Sequence, residues 1–269
     1  MSIQQFAGYS IVRDITGGGM ANLYVALDPH KDRVVLRVLR PEYARKRRMR
    51  KKFESGVAIL RELKHPHIVR VLQTGMEDKQ PYMVMEFVPG RHLRELILHR
   101  DALVEQHRLG LIRQMADMLG YLHTAGYLHL DFKPENLIVR DDAFVVLIDF
   151  DLAMVRKPKP VKIRNIPGTR AYLPPEVLKQ HRVDERADIY SFGVTAYEIL
   201  CHHKPFEAAT VDGMLNAQLD PAVRPTPLSQ YTREVPKALE SIVLKCLAKD
   251  PDSRYPSMSL VRKDLEALL

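Results

Sequence analysis

The feature that most constrains this 269-residue chain is a change of hydrophobic period at Pro89-Gly90. Before it, apolar residues come in short runs. YSIVRDI (9–15), ANLYVALD (21–28), DRVVLRVLR (32–40), IVRVLQTG (68–75) and QPYMVMEFV (80–88) read as strands, punctuated by Gly17-Gly18-Gly19 and by Asp28-Pro29. One helix is predicted over 43–64, with Phe53, Val57, Leu60 and Lys64 at helical spacing. Pro66 ends it by disfavouring helical backbone in the residue before. After Pro89-Gly90 the spacing predicts helices at 92–98, 105–125, 185–203, 235–249 and 256–268. Two short apolar runs, NLIV (136–139) and FVVLIDF (144–150), lie between them. A strand-rich lobe thus precedes a helix-rich one, with the joint near 86–90, in an α+β chain. The Pro- and charge-rich stretch 156–167 is predicted to hold no regular element.

Charge is concentrated rather than spread. The formal net charge is +8. Residues 40–52 hold +7 and residues 153–170 hold +6, so subtracting both leaves −5 on the rest. A basic balance suggests nucleic acid, an anionic membrane or an acidic protein as partner, but the chain is mildly acidic with two basic patches. No aromatic residues interleave the 156–170 charges, which argues against nucleic acid. No uncharged apolar run approaches the roughly 18 residues of a membrane helix, and MSIQQFAGYS (1–10) shows no basic region followed by an apolar stretch, so no signal peptide is expected there. Two cysteines, Cys201 and Cys246, exclude a disulfide scaffold and fit a reducing compartment, with a cytoplasmic location expected. Both fall in apolar helical patterns, where buried, inert thiols are expected.

Three local constellations carry chemistry. Ile15-Thr16-Gly17-Gly18-Gly19-Met20-Ala21-Asn22-Leu23 is a glycine turn between two strands. It suits either a hairpin or a cradle of backbone N–H groups around phosphates. His129-Leu130-Asp131-Phe132-Lys133-Pro134-Glu135-Asn136 places a carboxylate, a lysine two residues on and an amide five on, just before a strand. Such a set can orient a hydroxyl, neutralise a transferring phosphoryl group and hold Mg²⁺. Asp149-Phe150-Asp151 ends the following strand and offers a second metal-binding carboxylate.

These segments resemble the eukaryotic-type protein kinases, above all the bacterial Ser/Thr kinases, from about residue 8 to 268. HLDFKPEN resembles the HRDxKxxN catalytic loop and DFD resembles DFG. Gly168 to Glu176 (GTRAYLPPE) resembles GTxxYxxPE, Asp188 to Gly193 resembles DxWSxG, and Asp250-Pro251 with Arg254 resembles DPxxR, whose arginine pairs with the glutamate here numbered Glu176. The resemblance implies a bilobal kinase-like α+β fold in one domain over 1–269. Its antiparallel N-lobe would span 1–86 with one main helix, its hinge 86–90 and its mainly helical C-lobe 91–269. It implies ATP and Mg²⁺ as ligands and a protein substrate. Asp131 and Lys133 would be catalytic, and Asn136 and Asp149 would hold metal. Ile15, Gly18, Leu23, Val35, Arg37, Met85, Glu86, Val88 and Ile138 would face the nucleotide. Thr169 would mark Ser/Thr specificity.

The departures from the family pattern are equally specific. The three GxGxxG positions are Thr16, Gly18 and Ala21. The strand-3 lysine is Arg37, a planar fork in place of a compact point charge. Arg40 does not substitute for it, because it points to the opposite sheet face. The helix glutamate that would pair with the lysine is Gly56, and Glu54 lies about 200° around the helix from it. The catalytic-loop arginine is Leu130, and residues 152–168 contain no Ser, Thr or Tyr for it to read once phosphorylated. The DFG glycine is Asp151. Two readings therefore stand together: a Ser/Thr kinase with impaired phosphotransfer, and a pseudokinase that recruits partners through patches 40–52 and 156–170. A small-molecule phosphotransferase of the aminoglycoside-kinase kind fits less well with Lys133, GTRAYLPPE and the expected Glu176–Arg254 pair.

Overall fold

A computed structural model describes residues 5–15, 19–162, 169–232 and 234–268. The chain divides into two compact units, Met1–Pro89 and Gly90–Leu269.

The first unit is one antiparallel sheet with helices α1 (Pro41–Ala44) and α2 (Arg47–Glu62). Its strands are β1 (Gln5–Phe6), β2 (Tyr9–Ile15), β3 (Ala21–Leu27), β4 (Arg33–Leu39), β5 (Val71–Glu77) and β6 (Gln80–Glu86), in the order β1-β2-β3-β4-β6-β5. The period-2 pattern sorts the side chains of β4. Val34, Leu36 and Val38 join Tyr9, Ala26, Tyr82 and Val84 in one apolar cluster, so Val35 and Arg37 belong to the opposite face. The helix expected over 43–64 is two helices. Lys46 is extended, with φ −92° and ψ 105°, and caps α2 without a side-chain hydrogen bond. Cations at 45–48 oppose the positive end of the helix dipole, and α2 has no acid in its first turn. Strand β5, expected from residue 68, begins at Val71 because Ile68 closes a turn onto the His65 carbonyl.

The second unit is mainly helical. It contains α3 (Leu93–Leu98), α4 (Ala102–Thr124), α5 (Pro175–Leu178), α6 (Arg186–Cys201), α7 (Val211–Leu219), α8 (Lys237–Cys246) and α9 (Met258–Glu266). Helix α6 is buried from Ala187 to Cys201 and packs against α4 and α8. The short strands are β7 (Arg91–His92), β8 (Tyr127–Leu128), β9 (Leu137–Val139), β10 (Val145–Leu147), β11 (Met154–Val155), β12 (Val161–Lys162) and β13 (Arg182–Val183). They pair as β10-β9-β7, β11-β8 and β12-β13. Strand β12 corrects the expectation that 156–167 holds no regular element. Its partner lies twenty residues on, so no local pattern announces it. Both cysteines are buried, and burial pushes each thiol up to about 12. Among the described residues no helix is long and apolar enough to cross a membrane.

Candidate functional site

Of the candidate nucleotide residues in the first unit, Ile15, Leu23, Val35, Arg37 and Met85 share one sheet face, while Glu86 stands opposite Val34 on the other. Ile15 ends β2 opposite Leu23. Leu23 opposes Arg37, and Val35 opposes Met85, which is buried. Gly18 lies outside the described residues. Its neighbour Gly19 has φ +147°, a conformation open to glycine and strained for other residues. Glu86 closes β6; its carboxylate accepts from the Arg70 backbone N–H at 2.9 Å and from the Arg70 guanidinium at 2.8 Å. Val88 is half-buried just beyond the strand.

The substituted pair is explicit. Arg37 is only 7% exposed, and its guanidinium lies over the Phe53 ring of α2, 5.6 Å from the centroid. The buried face of α2 is Phe53, Gly56, Ile59 and Leu60 and bears no carboxylate. The helix runs through Gly56 without a break. Glu54 points away from that face and pairs with Arg50 at 2.8 Å. From α2 it is thus an aromatic ring, through a cation–π contact, that meets Arg37. Arg40 is engaged elsewhere, as its strand parity requires. Its Nε donates to Asn22 Oδ1 at 2.8 Å and its backbone N–H to the Met20 carbonyl.

In the second unit β8 delivers the chain to His129 and then to Leu130, whose φ is +63°. Left-handed backbone costs a residue with a Cβ about 1–2 kcal/mol. The Asp188 carboxylate, fully buried on α6, holds that turn. It accepts from the His129 N–H at 2.8 Å, the Leu130 N–H at 2.7 Å and His123 Nε2 at 2.8 Å. Burial alone would raise the Asp188 carboxyl, but the His123 hydrogen bond and the neighbouring histidines outweigh it and hold it low. His129 Nε2 donates to the Asp149 carbonyl at 2.6 Å, and its ring meets Phe150 edge-on.

The loop brings its polar groups together. Lys133 Nζ donates to both Asp131 oxygens, at 3.0 and 2.9 Å. Asn136 Nδ2 donates to the Asp131 carbonyl at 2.8 Å and to its carboxylate at 3.1 Å. Among the described residues no hydrogen bond occupies Asn136 Oδ1. The β9–β10 hairpin sets Asn136 and Asp149 at adjacent ends, because Ile148 N–H donates to the Asn136 carbonyl at 3.0 Å. Asp149 Oδ1 also accepts from the Asp151 N–H at 3.1 Å. Among the described residues no three His, Cys, Asp or Glu side chains gather into a metal cage. An amide oxygen and a carboxylate are instead the kind of sparse oxygen set that Mg²⁺ uses alongside substrate phosphates. Ile138 lies on β9, opposite Val146 and His92. Thr169 is exposed, and among the described residues no hydrogen bond joins it to Asp131 or Lys133.

Residues 152–161 are anchored by contacts within the second unit. Leu130 packs with Leu128, Leu173, Val177, Val183 and Ala187, and Leu152, Met154 and Val161 pack against that cluster. Strand β11 pairs with β8, and Arg156 binds both the Gly126 carbonyl and the Glu185 carboxylate. The expected Glu176–Arg254 pair is present and buried, with two hydrogen bonds of 2.8 Å. The anchoring roles of His123, Asp188 and Val161 were not read from sequence. Asp188 did leave a signal, as an acid in the first turn of a long, mostly apolar helical run.

Comparison with known proteins agrees with this geometry. A family model described as the protein kinase domain matches residues 9–265. The chain is 33% identical over 264 residues to the serine/threonine-protein kinase PknL of Mycobacterium tuberculosis, covering 97% of this chain and 65% of the relative. It is 31% identical over 260 residues to the serine/threonine-protein kinase PrkC of Bacillus subtilis, covering 96% and 40%. It is 32% identical over 256 residues to the serine/threonine-protein kinase PknD of M. tuberculosis, covering 94% and 38%. The chain therefore spans only part of each of these relatives.

Proposed function

This chain belongs to the protein kinase domain family, and from that premise we propose that it transfers the γ-phosphoryl group of ATP to Ser or Thr hydroxyls of a protein, at an impaired rate. The observation that carries the reading is the cluster of Asp131, Lys133 and Asn136, assembled on a turn held by Asp188. Asp131 takes the proton of the attacking hydroxyl. Lys133 neutralises charge on the transferring phosphoryl group. Asn136 and Asp149 are the residues that would hold Mg²⁺, which when bound supplies charge neutralisation at the phosphates. In the first unit Ile15, Leu23, Val35, Met85, Glu86 and Val88 are the nucleotide candidates, with Ile138 in the second. Thr169 is assigned to Ser/Thr specificity by the family resemblance.

The rate is low because Arg37 rests against an aromatic ring and α2 offers it no carboxylate on its buried face. That same observation favours the second reading, a pseudokinase that binds nucleotide or protein without transfer. Acidic protein partners are assigned to the basic stretches 40–52 and 156–170. A cytoplasmic location rests on the two free cysteines alone.

Asp149→Asn is expected to abolish Mg²⁺-dependent ATP binding measured by calorimetry. Unchanged binding in the variant would remove Asp149 from the metal site.

A further inference from the structure

An open, shallow cleft of about 530 Å³ lies on the second unit. Lys157, Lys159, Lys162 and Arg182 line it, together with Val161 and two prolines. No carboxylate and no aromatic ring is among these lining residues. From 152 to 183 the sequence has eight Lys or Arg and a single acid, Glu176, which is buried against Arg254. The cation that precedes the cleft residues in sequence, Arg156, is matched by Glu185. Among the described residues none of the four cleft cations forms an ion pair with a carboxylate.

The strand register sharpens this. In the β12–β13 pair Lys162 stands directly opposite Arg182. Like charges facing each other across an antiparallel pair are destabilising. The fold holds them together with no acid between them, so an anion arriving from outside would relieve the repulsion.

The cleft is also joined to the catalytic loop. Val161 lines it and packs against the apolar cluster that contains Leu130, the residue before Asp131. Arg156, one residue before the cleft begins, donates its backbone N–H to Gly126, three residues before His129. A ligand in the cleft would therefore be held on the framework that carries Asp131.

We propose that this cleft docks an acidic stretch of the protein that supplies the hydroxyl. The inference rests on the phosphotransfer reading and names its substrate class. The lysines are separate point charges rather than an array with stacking surfaces, which suits carboxylates spaced along a peptide and gives nucleobases nothing to stack on. Prolines between the cations supply rigid apolar walls for a peptide backbone.

The test is fluorescence anisotropy in the absence of nucleotide, using a labelled Glu-rich peptide that carries one serine. The wild-type chain is expected to bind it, with affinity falling as salt rises. Changing Lys159, Lys162 and Arg182 together to Glu should weaken binding by about tenfold or more. The milder triple change to Gln should weaken it in the same direction, with thermal melting confirming the fold. Lys237→Glu with Lys263→Glu, exposed on α8 and α9 outside both basic stretches, should leave affinity within about twofold. Three results would overturn the proposal: undiminished binding by the folded triple variants, equal binding of a Lys-rich peptide, or tighter binding of a single-stranded oligonucleotide of matched charge. Because no nucleotide is present, docking without phosphotransfer would refute only the catalytic reading, and phosphotransfer without docking only this one.

Discussion

Changing Arg37 to Lys and Gly56 to Glu in the same chain is expected to raise phosphotransfer to a Ser/Thr peptide by about 10²–10³. Preorganised charge at the phosphates is worth about 3–4 kcal/mol of barrier, and each 1.36 kcal/mol is about tenfold in rate. In the wild-type chain Arg37 is buried over Phe53, and the face of α2 that should present an acid presents Gly56. Lysine alone would still lack a carboxylate on the buried face of α2. Glutamate alone would meet a forked guanidinium already stacked on a ring. Each single change should therefore gain less than about tenfold, and the pair should exceed the product of its parts. Replacing a helix-interior glycine also adds about 1 kcal/mol of helix propensity, which offsets part of the cost of placing a carboxylate on the buried face of α2. Steady-state kinetics of the four proteins decides the matter. No gain in the double variant would show that Arg37 and Gly56 are not what limits the rate.

Leu130→Arg, the other apparent reversion, is expected to do the opposite. Leu130 is 5% exposed inside an apolar cluster with Leu173, Val177 and Val183. A guanidinium there has no acid to pair with inside the cluster, so its burial should cost about 3 kcal/mol. For a chain of this size that lowers the melting temperature by about 6–12 °C. It also loosens Leu152, Met154 and Val161, which pack against the cluster. No regulation is gained in return, because residues 152–168 offer no hydroxyl to phosphorylate. Differential scanning fluorimetry reads the result. An unchanged melting temperature would mean that Leu130 is not what holds this segment.

The contrast between these two substitutions shows what local sequence could reveal. Strands β2, β3, β4 and β6 were legible because alternation is a local property, and it placed Arg37 and Arg40 on opposite faces correctly. The Asp131–Lys133–Asn136 cluster was legible for the same reason, since its members lie within five residues on one turn. The break at Lys46 was missed because hydrophobic spacing continues across it while the cations oppose the helix dipole. Helix α7 was missed because Gly213 and Asn216 lower its propensity, although Thr210 caps it. Strand β12, the cleft that Arg182 completes and the hold of Asp188 on the Leu130 turn depend on residues 20 to 59 positions apart. Phe53 was read only as core, and its contact with Arg37 became visible once α2 was set against the sheet.

The most direct measurement is labelled phosphate transfer from ATP to a Ser/Thr peptide, with and without Mg²⁺, in the wild-type chain and in Asp131→Asn. We expect slow, Mg²⁺-dependent transfer by the wild-type chain that falls by about a hundredfold or more in the variant. ATP binding that persists while wild-type transfer stays at the Asp131→Asn background would contradict a catalytic role and leave a nucleotide-binding pseudokinase.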